Sequence, residues 1–290
     1  IDEHTGEAQI LRRVAEQYRP AGAAGRPLAP VVRAGLGLQA RRMRRTEERM
    51  ISRADLALAV SEGDARQLRA LAPRTPVEVL PNGVDADYFS PPEAQAPPPR
   101  PRQLVFTGSM NWLPNEDAVT HFVQAILPRL RALGGEPPWR LDIVGQAPTP
   151  SVRALASPTV RVTGTVADVR PYVAQAEVFV VPLRIGGGSR LKILEAFAMG
   201  IPVVSTSVGC EGLGTTDGRQ LLIADAPEAF AVQVARLAAD PGLRRELAER
   251  ARRFVLEHFT WPTIGRRLLE VYEERLEGPS GVNARMVAGV

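Results

Sequence analysis

The chain has 290 residues, 44% hydrophobic and 23% charged, a length that suggests two domains at roughly 150 residues each and a composition that excludes disorder throughout. No apolar run approaches the roughly 20 residues of a membrane-spanning helix and neither end reads as a signal peptide, so the expectation is a soluble, cytoplasmic protein. The single cysteine, Cys210, excludes an internal disulfide or a cysteine-based zinc cluster, and of the 36 Lys and Arg residues behind a formal net charge of +4 just one, Lys192, is a lysine.

The chain opens on Ile1 inside what reads as a strand end, IDEHTGEAQI. The basic run 41–45, in QARRMRRTEER, fits a solvated helix face or contact with an anionic membrane surface. It lacks the interleaved aromatics and the module of a nucleic-acid binder. Strand signals follow at 56–60 and 77–80, too few before residue 90 to close a sheet. A chain lacking the start of its first domain is therefore expected. Residues 90–102, SPPEAQAPPPRPR, hold six prolines and read as a semi-rigid linker. Beyond it, short aliphatic runs at 104–107, 141–144, 160–163, 178–181, 203–206 and 221–224 alternate with helical stretches. That alternation predicts a doubly wound α/β domain with a parallel sheet. Toward the end, Leu243, Leu247, Phe254 and Val255 share one helix face, and Trp261, Ile264, Leu268, Val271 and Tyr272 share another.

The most informative stretch is VPLRIGGGSRLKILEAFAMGIPVVST, 181–206. A strand ends near Pro182, Gly186, Gly187 and Gly188 follow, and a helix is expected from near Ser189. Glycines at a helix entrance bare backbone N–H groups whose partial positive charge suits a phosphate. Arg190 and Lys192 in the first turn oppose the helix dipole, so they ask for an anion, which a diphosphate supplies. Glu195 by itself fits a solvated helix position; beside the glycines and cations, it fits a carboxylate for a ribose diol. A second turn, Gly108–Ser109, ends a strand where open α/β sheets bind ligands, although it also fits a plain βα turn with Asn111 or Asn115 capping the next helix. A third is VTGTV, 162–166. The dinucleotide fingerprint is absent, since GGGSRL lacks the last glycine of G-x-G-x-x-G and stands late in the sheet. His4, His121 and His258 have no metal-ligand spacing, and no G-x-S-x-G is present.

Six segments in order, ADLALAVSEGDARQL, VEVLPNGVDADYFSP, LDIVG, VRVTGTVADVRPYVAQAEVFVVPL, GGGSRLKILEAFAMGIPVVST and EHFTW, resemble the retaining glycosyltransferases of the glycosyl transferases group 1 family. FTGSMNWLPNEDAV, GGGSRLKILEA and SVGCEGL are similar to the bacterial branch associated with exopolysaccharide and PEP-CTERM systems. The resemblance implies the GT-B fold, two Rossmann-like domains facing a cleft. Residues 1–89 would be the remnant of the acceptor-side domain, 90–102 the linker, 103–260 the nucleotide-sugar-binding domain, 261–277 a return helix and 278–290 a tail. It also implies that Glu195, second glutamate of an E-x7-E motif, binds the donor ribose; the first glutamate's position is Gly187, which leaves the donor sugar open. Gly188, Ser189 and Arg190 would present backbone amides to the phosphates, Leu191, Gly108 and Ser109 would also belong to the donor site, and Thr163, Gly164 and Val166 would form part of the base pocket. Where the family often carries two further cations near the first strand this chain has none, so Arg190 and Lys192, with Arg184, would stabilise the leaving diphosphate. The implied partners are a UDP- or GDP-sugar donor and a carbohydrate or lipid-linked acceptor, with no cofactor, no metal and no nucleic acid, and with peripheral contact at the inner membrane face. The fragment alone is expected to transfer nothing. Alternatives are a non-catalytic nucleotide-sugar-binding subunit and a GT-B sugar-nucleotide epimerase.

Overall fold

A computed structural model describes residues 2–3, 29–92, 100–186 and 190–276. Its first part contains β1 (Asp2–Glu3), α1 (Ala29–Ile51), β2 (Ala57–Ala59), α2 (Glu62–Leu71) and β3 (Val77–Val79). These strands form a parallel three-stranded sheet in the order β1-β2-β3. Ile51, Ala59, Ala65, Leu68 and Val77 bury a small core between this sheet and its helices.

The second part supplies β4 (Gln103–Thr107), α3 (Leu113–His121), α4 (Leu127–Ala132), β5 (Arg140–Val144), α5 (Pro150–Arg153), β6 (Val160–Gly164), α6 (Arg170–Ala174) and β7 (Val178–Val181). It continues with α7 (Leu191–Ala198), β8 (Val203–Ser205), β9 (Leu222–Ile223), α8 (Pro227–Ala239), α9 (Pro241–His258) and α10 (Trp261–Leu276). All six strands are parallel, in the order β6-β5-β4-β7-β8-β9. Every residue of β4, β7 and β8 is buried, as expected for strands covered by helices on both faces. Their sequences are accordingly continuous apolar runs such as VFVV rather than alternating ones. Between α3 and α4 the helix widens into one π-turn over Phe122–Ile126. Pro128, at the start of α4, has no N–H to give to the turn before it, and the wider turn absorbs that loss. The same turn seats Phe122 edge-to-face on Phe230 of α8, with ring centroids 6.1 Å apart.

The two parts meet along their connection. Val84 N–H donates to Phe259 O at 2.7 Å, and Val84 pairs with Thr260 as a parallel bridge. The Trp261 indole lies on the backbone of Gly83, where a Cβ would come within 2.7 Å of the ring. Farther along α10, Arg267 and Arg275 approach Glu78 of β3 at 3.9 and 3.7 Å.

Three expectations change in detail. Helix α7 begins at Leu191, with Arg190 as its N-cap residue. On α10, Ile264 and Val271 are buried but Trp261 and Tyr272 are half exposed, because residue 272 lies about 100° around the helix from Val271. Neither Asn111 nor Asn115 caps α3: its N-cap position is Trp112, with no side-chain cap. Residues 100–102, the end of the proline-rich segment, are docked on the six-stranded part, with Arg102 N–H donating to Glu177 Oε2 at 2.8 Å.

Candidate functional site

Chain order along the large sheet reverses between β4 and β7, because β5 and β6 build outward on one side and β8 and β9 on the other. At such a point the loops leaving the two strands diverge, which opens a crevice at their carboxyl ends. The loop after β4 is GSMNW and the loop after β7 is PLRIGGGSR. The Gly108 turn and the described ends of the β7 loop, residues 182–186 and Arg190, therefore flank one crevice.

The β4 turn is tightly constructed. Gly108, at φ +153°, donates its N–H to Val144 O at 3.0 Å. Gly145, at φ +149°, lies so close that a Cβ there would be 1.8 Å from Gly108 O. Ser109 Oγ accepts from Gln146 Nε2 at 3.0 Å, and Ser109 O accepts from Asn115 Nδ2 at 3.0 Å.

On the other side, Arg190 is 6% exposed; its Nη2 donates to Val208 O at 2.8 Å and stands 3.6 Å from Glu211 Oε2. Lys192 Nζ crosses the crevice, donates to Asn115 Oδ1 at 2.7 Å and sits 4.0 Å from the centroid of the Phe106 ring. Burial lowers the Lys192 pKa to about 7, with Arg190 adding to the effect and Glu195 opposing it. Burial likewise pushes the Glu195 carboxyl above its usual range, against the pull of Lys192. Two cations at the positive end of α7, one of them costly to charge, form a place that an anion would stabilise.

The remaining expected residues distribute around this core. Thr163 Oγ1 donates to Gly164 O at 2.8 Å, and Gly164, at φ +71°, ends β6 at the same edge of the sheet. Val166 packs partly on the core, and Leu191 is 40% exposed. Arg184 makes a bidentate pair with Asp117, 3.0 and 2.5 Å, so its charge is matched within the protein. Gly187, Gly188 and Ser189 lie outside the described residues. A cleft toward the small sheet is lined by Ser61, Asn82, Arg190, Glu211, Gly212 and Phe259. Ser61 caps α2 by accepting from Asp64 N at 3.1 Å. Gly212, at φ +86°, leaves room for it, since a Cβ would come 2.8 Å from Ser61 Cβ. Among the described residues no group of three His, Cys, Asp or Glu side chains could hold a metal ion, and no helix is long and apolar enough to cross a membrane.

Sequence reasoning missed Phe106, Gly145, Glu211 and the part played by Asn115. For Asn115 a signal was present: it follows Pro114, and proline belongs in the first helical turn, so the residue after it is already inside the helix and cannot be the N-cap. Nothing local marks Phe106, whose ring lies under an ammonium 86 positions later only because β4 and β7 are neighbours.

Residues 101–240 match the family described as Glycosyl transferases group 1, and residues 26–88 match Glycosyltransferase Family 4. Among curated relatives, a GDP-mannose-dependent alpha-(1-6)-phosphatidylinositol monomannoside mannosyltransferase of Mycolicibacterium smegmatis is 30% identical over 236 residues, covering 73% of this chain and 60% of its own. A D-inositol 3-phosphate glycosyltransferase of Salinispora arenicola is 31% identical over 260 residues, covering 79% and 56%. The chain thus spans less than two thirds of the length of these relatives. Among solved structures, sucrose-phosphate synthase from Thermosynechococcus elongatus superposes with a TM-score of 0.66 at 21% identity, covering 81% of this chain and 62% of that one. Anabaena HepE, in complex with UDP and glucose, superposes with a TM-score of 0.66 at 18% identity, covering 84% and 75%. The segments that match these two family models follow one another along the chain, and the parallel sheets they form have the α/β Rossmann-like GT-B fold of those solved structures.

Proposed function

We propose that the six-stranded part binds a nucleoside-diphosphate sugar, UDP- or GDP-linked, and that the protein to which it belongs transfers the sugar, with retention, to an acceptor in cell-surface polysaccharide or glycolipid synthesis. One observation carries this reading: Lys192 and the Gly108 turn meet at the crevice where the strand order reverses, with Arg190 at the N-terminus of the same helix. Breaking the bond from sugar to diphosphate leaves negative charge on the β-phosphate oxygens, and preorganised cations in a poorly hydrated crevice stabilise that charge as it develops. Arg190 and Lys192 are assigned this role, without a metal. Glu195, one turn along the same helix face as Lys192, is assigned the ribose hydroxyls, and the edge around Thr163, Gly164 and Val166 the base. The mannosyltransferase and inositol phosphate glycosyltransferases among the relatives support the reaction class. The similarity of its motifs to the exopolysaccharide-associated branch supports a cell-surface product. Exposed Arg41, Arg42, Arg44 and Arg45 on α1 support peripheral contact with an anionic membrane.

Titration calorimetry with UDP, GDP and their sugars tests the donor site. Wild-type protein is expected to bind one nucleotide series, and Glu195→Ala to weaken it by about tenfold, the worth of hydrogen bonds to a charged group. Binding of neither series overturns the reading. A second reading, a non-catalytic nucleotide-sugar-binding subunit, is favoured by glycine at position 187, where the resemblance places a carboxylate. Donor binding without transfer by the chain joined to its complete partner domain would select it.

A further inference from the structure

Lys192 is the one lysine of the chain, and it does not approach the crevice as a flexible surface cation. Its ammonium is fixed from three sides. Asn115 Oδ1 accepts its proton at 2.7 Å, the Phe106 face lies 4.0 Å away, and Nζ stands 3.0 Å from where a Gly108 Cβ would be. Asn115 is itself fixed: it is 8% exposed and its Nδ2 donates to Ser109 O at 3.0 Å. The amide therefore spans from the β4 turn to the α7 cation with both ends engaged. An asparagine does this without neutralising the ammonium. A carboxylate at the same place would hold the lysine more strongly but would match its charge, as Asp117 does for Arg184.

We propose that Asn115 is a positioning residue for donor binding: its side-chain amide aims the Lys192 ammonium across the mouth of β4 and leaves its charge unmatched for the diphosphate. The inference rests on the donor-site reading above and adds to it a residue that reaches the diphosphate only through Lys192. Charged groups influencing the ammonium are Arg190 and Glu195, both on its own helix segment. The other described contacts, Phe106 and Gly108 from β4 and its turn and Asn115 from α3, are uncharged. With Asn115 removed the ammonium loses its hydrogen bond to Oδ1, and its proton is held less tightly.

A single lysine makes the test direct. Protein labelled with 13Cε-lysine gives one side-chain signal, whose pH titration is followed with and without UDP or GDP, while calorimetry measures affinity for the same nucleotide. Four proteins are compared: wild type, Asn115→Ala, Lys192→Met and the double variant. The expected results are a titration midpoint that rises when nucleotide binds wild type, a lower midpoint in Asn115→Ala, and about tenfold weaker binding in that variant. On the Lys192→Met background the same asparagine change is expected to cost nothing further, because its effect passes through the lysine. An Asn115→Asp variant, which preserves shape and packing, is expected to raise the midpoint and still weaken binding. An equal loss from Asn115→Ala with and without the lysine, or a lysine titration unmoved by that change, overturns the positioning role. If wild type binds neither nucleotide, the donor-site reading falls first and the positioning role falls with it.

Discussion

Replacing Lys192 with methionine tests whether the crevice is maintained at a cost in stability. In the folded chain burial lowers the Lys192 pKa to about 7 from an ordinary 10.5. At about 1.4 kcal/mol per tenfold change in proton affinity, the cost of keeping this ammonium charged has a ceiling of about 5 kcal/mol. Methionine fills the same volume, lies on Phe106 as the lysine stem does and carries no charge. It leaves Asn115 Oδ1 without its donor, a loss of about 1 kcal/mol, so the variant is expected to be about 2–4 kcal/mol more stable at neutral pH. The pH dependence fixes the sign. A lysine whose folded pKa is lowered holds fewer protons folded than unfolded, so wild-type stability rises with pH between about 7 and 10.5. Urea unfolding at pH 6.5, 8 and 9.5 should therefore show the largest advantage of Lys192→Met at the lowest pH and a shrinking advantage above it. Glu195, whose carboxyl interacts with the ammonium, is removed from the comparison by repeating the pair in a Glu195→Gln background. The same variant should bind nucleotide more weakly, with an affinity that calorimetry still measures. A stability difference that does not change with pH, or a wild type more stable than the variant at pH 6.5, would refute the reasoning.

Other expectations follow from single contacts. Gly145→Ala would drive a Cβ into Gly108 O and force φ +149° on a residue with a side chain, so it should lose about 2–4 kcal/mol in urea unfolding and weaken nucleotide binding together with it. Asp142→Ala breaks the β5–β6 pair with Arg161, whose Nε donates to Asp142 Oδ1 at 2.8 Å. Because that arginine is half exposed and can rehydrate, a loss of only about 1 kcal/mol is expected from a double-mutant cycle with Arg161→Ala. Cys210 is buried and its thiol pKa is raised by burial. Iodoacetamide at neutral pH should therefore label it slowly in folded protein and rapidly in urea, and equal rates would show that the loop around it is open.

Much of the fold was legible because the six-stranded sheet is parallel and covered on both faces. Its central strands are then short, largely apolar runs, and a run such as VFVV stands out between polar helix faces. In the small sheet the strand signals at 56–60 and 77–80 contain β2 and β3 and the opening residues read as a strand end, but β1 has two residues and β2 three, too little to indicate how they pair. Helix starts were displaced where a loop, not a cap, sets them. Arg190 takes the N-cap position of α7 at φ −99° and ψ 51° with no capping side chain, and such a start has no local signature.

The candidate site divides along the same line. From the residues alone came the doubly wound class, the two glycine turns, and the oddity of Arg190 and Lys192 in a first helical turn, because helix dipoles and backbone access are local properties. Strand order is not local. Only the tertiary structure made β4 and β7 neighbours, and that adjacency brought Phe106, Gly108 and Asn115 to the Lys192 side chain while leaving Arg184 with Asp117. The pKa of the one lysine belongs to that second category as well, since desolvation depends on which distant residues exclude water from it.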